Sequence, residues 1–144
     1  MKTVLNILLA LTVAISPALA HDKVKAGPRK GRVLEMEAKN AEFFVERGRT
    51  VSIAFYDAAI KAQAPTAELV AITAEAPSGK AKLEFEKKGN LLVSKTPLPA
   101  GENYTVVVQV KATADAKSKN FRIPLNLSLC KPCGNAEYAC TCDE

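Results

Sequence analysis

The chain of 144 residues has no tryptophan, a single histidine, and no cysteine before position 130. A lone histidine leaves a Ser/His/Asp or Cys/His triad only that residue as its base. Glycine numbers seven, and none is arranged as the loop that an NTPase folds around phosphate. The nearest approach, around Pro77-Ser78-Gly79-Lys80, has Ala74 where the first glycine belongs and Ala81 where the magnesium-binding hydroxyl belongs. It reads as a turn. Aromatic residues make up 6% of the chain and none interleaves with its basic run, which removes base stacking and with it nucleic acid as a partner. Glu84 and Glu86 share a strand face flanked by Lys82 and Lys87, the pattern of a solvated face and not of an acid–base pair. No catalytic constellation is left, and the chain reads as a non-enzymatic protein.

Long apolar runs are equally scarce. The one present, Val4 to Ile15, follows Lys2 and leads to Ala18-Leu19-Ala20, the small-x-small pattern that signal peptidase accepts. A membrane anchor needs about 20 apolar residues, whereas this run is shorter and is broken by Ser16 and Pro17. Residues 1–20 are therefore predicted to be an export signal cleaved after Ala20, giving a periplasmic protein with no membrane span. No cysteine follows the cleavage site, which argues against a lipid anchor there. The sequons Asn103-Tyr104-Thr105 and Asn126-Leu127-Ser128 matter only in a eukaryotic secretory route.

What remains, residues 21–144, has the length of one domain and the composition of an ordinary globular one: 48% hydrophobic and 24% charged over the whole chain. Such a chain buries roughly two-thirds of its unfolded surface, enough for a core without staples. Removing Lys2 takes one charge from the net +5. The excess gathers at the new amino terminus, where Lys23, Lys25, Arg29, Lys30 and Arg32 face only Asp22. Residues 21–30 thus read as a basic arm. Its functional reading is attraction to an anionic surface or an acidic partner, and its plainer reading, the one favoured here, is a solvated tail.

From Gly31 onward the pattern has period two. Phe121, Ile123, Leu125, Leu127 and Leu129 alternate with polar residues, and Pro124 falls on the outward face, which places this strand at an edge or a bulge. Tyr104, Val106, Val108 and Val110 define a second long strand with Thr105, Gln109 and Lys111 outward. Shorter strands are predicted over 32–36, 41–46, 49–57, 68–74, 80–86 and 91–94, separated by Arg47-Gly48, Pro77-Ser78-Gly79, Lys88-Gly89-Asn90 and Pro99-Ala100-Gly101 turns. The stretch 58–64 lacks a helical stripe and reads as a loop. Seven or eight short strands without strand–helix alternation predict an all-β fold, an antiparallel immunoglobulin-like β-sandwich over residues 31–129. An exposed edge strand permits dimerisation by sheet extension without requiring it.

Every cysteine lies in the tail, 130–144: Cys130 and Cys133 as C-x2-C, then Cys140 and Cys142 as C-x-C. Four thiols so closely spaced can converge on one ion, and soft thiolates select Cu(I) or Zn(II). Gly134 permits the sharp turn after the first pair. The competing reading is two disulfides, since export places the chain in an oxidising compartment and the count is even. Such bridges would fold the tail only onto itself, and a Cys140–Cys142 bridge would be strained. A third reading, thiol redox activity, lacks the helix amino terminus that usually lowers an attacking thiol's pKa. His21, as the first mature residue, offers an amine and an imidazole to copper, with Asp22 adding an oxygen, but two nitrogens alone make a shallow site.

Three segments carry a resemblance: Lys25-Ala26-Gly27-Pro28-Arg29-Lys30-Gly31-Arg32, Ala41-Glu42-Phe43-Phe44-Val45, and Glu137-Tyr138-Ala139-Cys140-Thr141-Cys142. Together they resemble a group of small exported proteins associated with bacterial heavy-metal efflux systems. The resemblance implies a periplasmic accessory that binds transition-metal ions through the four tail cysteines, as buffer or delivery partner to an efflux component or another periplasmic protein. Members of the group carry a Gly-Pro-Asn-Gly-Gly stretch and histidines near it and at the chain end, where this sequence has Arg29, Lys30 and Glu144. The run from Leu98 to Tyr104 is similar to the turn that enters a late strand in exported sandwiches of the copper-resistance type. An adaptor module with a disulfide-closed tail is the alternative function.

Overall fold

The computed structural model describes residues 23–142. The predicted export signal and His21 lie outside the described residues. The regular structure of the described residues is almost entirely strand, as expected: β1 (Arg32–Leu34), β2 (Asn40–Val45), β3 (Val51–Tyr56), β4 (Ala62–Gln63), β5 (Leu69–Ala76), β6 (Gly79–Leu83), β7 (Phe85–Lys88), β8 (Leu91–Ser94), β9 (Tyr104–Lys111) and β10 (Lys119–Leu125). A 3-10 turn, Glu137–Ala139, follows in the tail.

The strands form two antiparallel sheets, one ordered β1-β2-β3-β8-β7 with β4 also on β3, the other β10-β9-β5-β6. If β2, β3, β5, β6, β7, β8, β9 and β10 are read as A, B, C, C′, D, E, F and G, the sheets are A-B-E-D and G-F-C-C′, the immunoglobulin-like arrangement. The Tyr104 hydroxyl, at the start of β9, donates to the carbonyl of Pro99 at 2.8 Å. This is the tyrosine corner of such sandwiches. Arg49 braces the same corner by donating to the carbonyls of Pro99 at 2.6 Å and Gly101 at 2.8 Å.

The alternating residues fill the core between the sheets. Tyr104, Val106, Val108 and Val110 are all buried, together with Ile123 and Leu125 across the β9–β10 pair and Phe43, Val51, Ile53 and Phe55 from the opposite sheet. Pro124, on β10, pairs with Thr105 of β9, and β10 has a strand neighbour on one side only, the edge position expected of a strand proline.

Ten strands stand where seven or eight were expected; most strand ends shift by one or two residues, and three departures are larger. The predicted strand 80–86 divides at Glu84, where the chain passes from β6 in one sheet to β7 in the other. Leu83 and Phe85 both still turn toward the core with Glu84 exposed, so alternation continues through a change of sheet and cannot reveal it. The predicted strand through Leu129 stops at Leu125, because β9 begins at Tyr104 opposite it and offers no partner beyond. Leu127 packs at the core margin, whereas Leu129, expected inward, is 71% exposed. Within 58–64 the Asp57 carboxylate accepts the N–H groups of Ala59 and Lys61, both at 2.9 Å, and this turn delivers the two-residue β4.

The described part of the basic arm, from Lys23 on, docks around β2 through Gly27 and Arg29 where a solvated tail was expected, while Lys23, Lys25 and Lys30 stay exposed. The loop Gly27–Gly31 closes on itself through Gly27 N–H to Gly31 carbonyl at 2.9 Å and encloses the fully buried carboxylate of Glu42. That carboxylate accepts Gly31 N–H at 2.7 Å, Arg29 N–H at 3.0 Å and the Tyr56 hydroxyl at 2.8 Å. A Cβ on Gly27 would stand 2.4 Å from Glu42 Cδ, and one on Gly31 would stand 2.4 Å from the Phe43 carbonyl. Close approach of backbone to a charged group dictates both glycines. The Arg29 guanidinium lies 4.7 Å over the Phe44 ring and donates to Glu46 and Ser52, each at 2.7 Å. Lys25 pairs with Glu35. Every residue of β3 is buried as a result, with Val51, Ile53 and Phe55 in the core and Ser52 and Tyr56 beneath the arm.

Candidate metal centre

Beyond Leu125 the chain finds its partners in its own tail. Asn126 and Ser128 carbonyls accept the N–H groups of Tyr138 at 3.1 Å and Glu137 at 2.9 Å, and Leu129 bridges to Ala136. Within this turn Cys130 N–H donates to the Asn135 carbonyl and Gly134 N–H to the Cys130 carbonyl, both at 2.8 Å, with Gly134 at φ 71°. The tight loop sets Cys130 and Cys133 side by side. The 3-10 turn then lifts the chain back, and Cys140 N–H closes it on the Glu137 carbonyl at 3.1 Å.

Tyr138, between the two cysteine pairs, anchors the assembly. Its ring meets Phe43 edge-on at 5.5 Å, and its hydroxyl accepts the Val45 N–H at 3.1 Å. Burial pushes its pKa up. Ala139 beside it is fully buried. All three sequence segments singled out above therefore meet at β2: the glycine loop on Glu42, and Tyr138 on Phe43 and Val45.

The four sulfur atoms lie within 4.8 Å of one another. Cys130 to Cys142 is 3.7 Å, Cys133 to Cys140 is 3.8 Å, and Cys130 to Cys140 is 3.1 Å. A tetrahedral ion with metal–sulfur bonds of about 2.3 Å sets its sulfurs about 3.8 Å apart. Two edges match that figure, so a small spreading of the shortest edge and closing of the longest regularises the site. Among the described residues no sulfur pair is bonded.

The thiols differ in their surroundings. Backbone N–H groups of Asn135 and Thr141 hold Cys133 down to about 6. Contact with the Cys130 sulfur raises Cys140, and the sulfurs of Cys130 and Cys133 push Cys142 up to about 12. One thiolate is thus favoured near neutrality, and its neighbours resist following it. A bound cation reverses that resistance, because each thiolate then faces positive charge. Cys130, Cys133, Cys140 and Cys142, all expected from sequence, are brought together.

Glu42 and Tyr138, which position the arm and the tail, stand in the segments singled out by resemblance, but the sequence reading gave them no role. The available signal was a carboxylate amid the apolar run 41–45 and a glycine pair with nothing to turn around. Two hollows flank the sandwich. One, of about 850 Å³, runs between arm, β2 and tail past Arg29, Phe44, Leu129 and Tyr138. The other, of about 590 Å³, is lined in part by Lys39 and Glu68, which pair at 2.5 Å. Burial raises the Glu68 pKa, but donors from Lys39 and Thr66 outweigh it and bring it to about 2. Among the described residues no helix is long and apolar enough to cross a membrane.

Comparison of the chain with protein-family models, with curated proteins and with solved structures finds no match.

Proposed function

We propose that this is an exported, periplasmic metal-binding protein whose carboxy-terminal thiolates hold one soft transition-metal ion, Zn(II) or Cu(I). Its role is buffering or delivery in heavy-metal handling, with an efflux component or another periplasmic protein as its partner and no catalytic step of its own. The observation that carries this reading is the approach of four sulfurs to within 4.8 Å on a tail clamped to the core. Their chemistry selects soft ions, and the tetrahedral count favours zinc. His21 is at most a minor ligand.

The test is the intact mass of protein taken from its own compartment without reductant or chelator, under native and then denaturing conditions. The expected result is one added metal ion, four alkylated thiols after denaturation, and a chain beginning at His21. A mass lower by about four hydrogens with no alkylation means two disulfides, and the adaptor reading replaces this one.

A further inference from the structure

We propose that the ion leaves the cluster at the Cys142 corner, by exchange with an incoming thiolate on an acceptor. This rests on the metal-binding reading above. The four ligands are unequal in their attachment. Cys130 is buried, and its N–H and carbonyl are both spent on the loop that holds it. Cys133 is half-buried and closes the same loop; Cys140 ends the 3-10 turn on the Glu137 carbonyl, next to the buried Ala139 and Tyr138. Cys142 is exposed, and its N–H is directed at the Cys140 sulfur at 3.4 Å, not at the sheet or the turn. Cys130 and Cys133 are thus presented by a loop closed on its own backbone, and Cys140 by the turn that carries the docked Tyr138. The fourth can swing away and leave the rest in place.

The acceptor chemistry follows from the ion. A soft ion held by thiolates is poorly extracted by water or carboxylate, whereas another thiolate offers equal bonding. In the exchange the acceptor thiol gives up its proton and its sulfur bonds the metal. The metal–sulfur bond to Cys142 breaks, and that sulfur takes a proton from solvent. The ion keeps its oxidation state and no electrons move. Repetition at the remaining sulfurs completes the transfer, with Cys130 last.

The full chain loaded with zinc alone is mixed with a synthetic peptide carrying a Cys-x-x-Cys pair, and native mass spectrometry follows zinc on each. The expected transfer rate rises in proportion to peptide concentration. Iodoacetamide on the loaded unmodified chain labels Cys142 at least about tenfold faster than Cys130, in line with their exposure, a readout that needs no variant to fold. A rate independent of peptide concentration, or equal labelling of the two cysteines, overturns the exit route and leaves metal binding standing. Failure of the unmodified chain to take up zinc overturns both.

Discussion

Two regions close on the same strand, and they handle negative charge in opposite ways. On one side of β2 the glycine loop surrounds Glu42 with two backbone N–H groups and a tyrosine hydroxyl, so the buried carboxylate is satisfied by the chain itself. At its end Tyr138 holds four sulfurs together with few donors aimed at them: N–H groups of Asn135 and Thr141 on Cys133, and of Cys142 on Cys140. An anion that its own protein completes is structural. A cluster that favours one thiolate, at Cys133, and raises Cys140 and Cys142 beside it calls for a cation from outside. The difference separates the scaffold from the candidate metal centre.

The largest expected effect is on the sulfur side alone. Replacing Cys130, Cys133, Cys140 and Cys142 together with serine abolishes zinc binding in a titration, while the sandwich keeps its far-ultraviolet circular dichroism. In the unmodified chain affinity falls as pH drops and protons compete for the sulfurs. Retained stoichiometric binding by the serine variant would break the comparison.

Next come changes to the carboxylate side. Gly27→Ala drives a Cβ against a carboxylate fixed by three donors, and costs about 2 kcal/mol or more in urea unfolding. Glu42→Gln keeps an acceptor for the two N–H groups but obliges the Tyr56 hydroxyl to accept and removes the charge from these bonds, at a cost of about 1 kcal/mol. Neither should change zinc stoichiometry. A large loss of zinc affinity in Glu42→Gln would show that the two regions communicate through β2 and are not separable.

A smaller effect is expected where the regions meet. Tyr138→Phe keeps the ring on Phe43 but strips the acceptor from Val45 N–H, lowering stability by about 1 kcal/mol. Zinc affinity should fall with it, because the clamp for both cysteine pairs is loosened. Unchanged affinity would mean that the tail organises itself without the core.

The last effect lies far from both regions and serves as a control. The Glu68 pKa is about 2 when folded, against about 4.3 in an unfolded chain. Its stabilisation is complete above the unfolded value and disappears as pH falls from there through the folded one. Glu68→Gln should flatten acid unfolding in that window whether or not zinc is bound. The same slope in the variant would assign the acid sensitivity elsewhere.

Much of the fold is legible in the residues themselves. Period-two alternation in Tyr104–Lys111 is enough to place that strand's core face, and Pro124 marks an edge. What escapes is whatever alternation does not encode. A strand that changes sheets keeps its inward face, as Leu83 and Phe85 do around Glu84. Leu129 continues the pattern of its strand but lies past the end of β9, so its partner is the tail and its side chain faces solvent. The cysteine set is legible because sulfur spacing is local chemistry. The docking of Arg29 is not, because a basic run looks the same whether it is solvated or folded over a distant carboxylate.

X-ray absorption at the zinc edge of the loaded chain tests the central claim most directly. Four sulfur neighbours at about 2.3 Å, with no nitrogen or oxygen in the first shell, are the predicted result. Nitrogen or oxygen ligands, or fewer than three sulfurs, would contradict it.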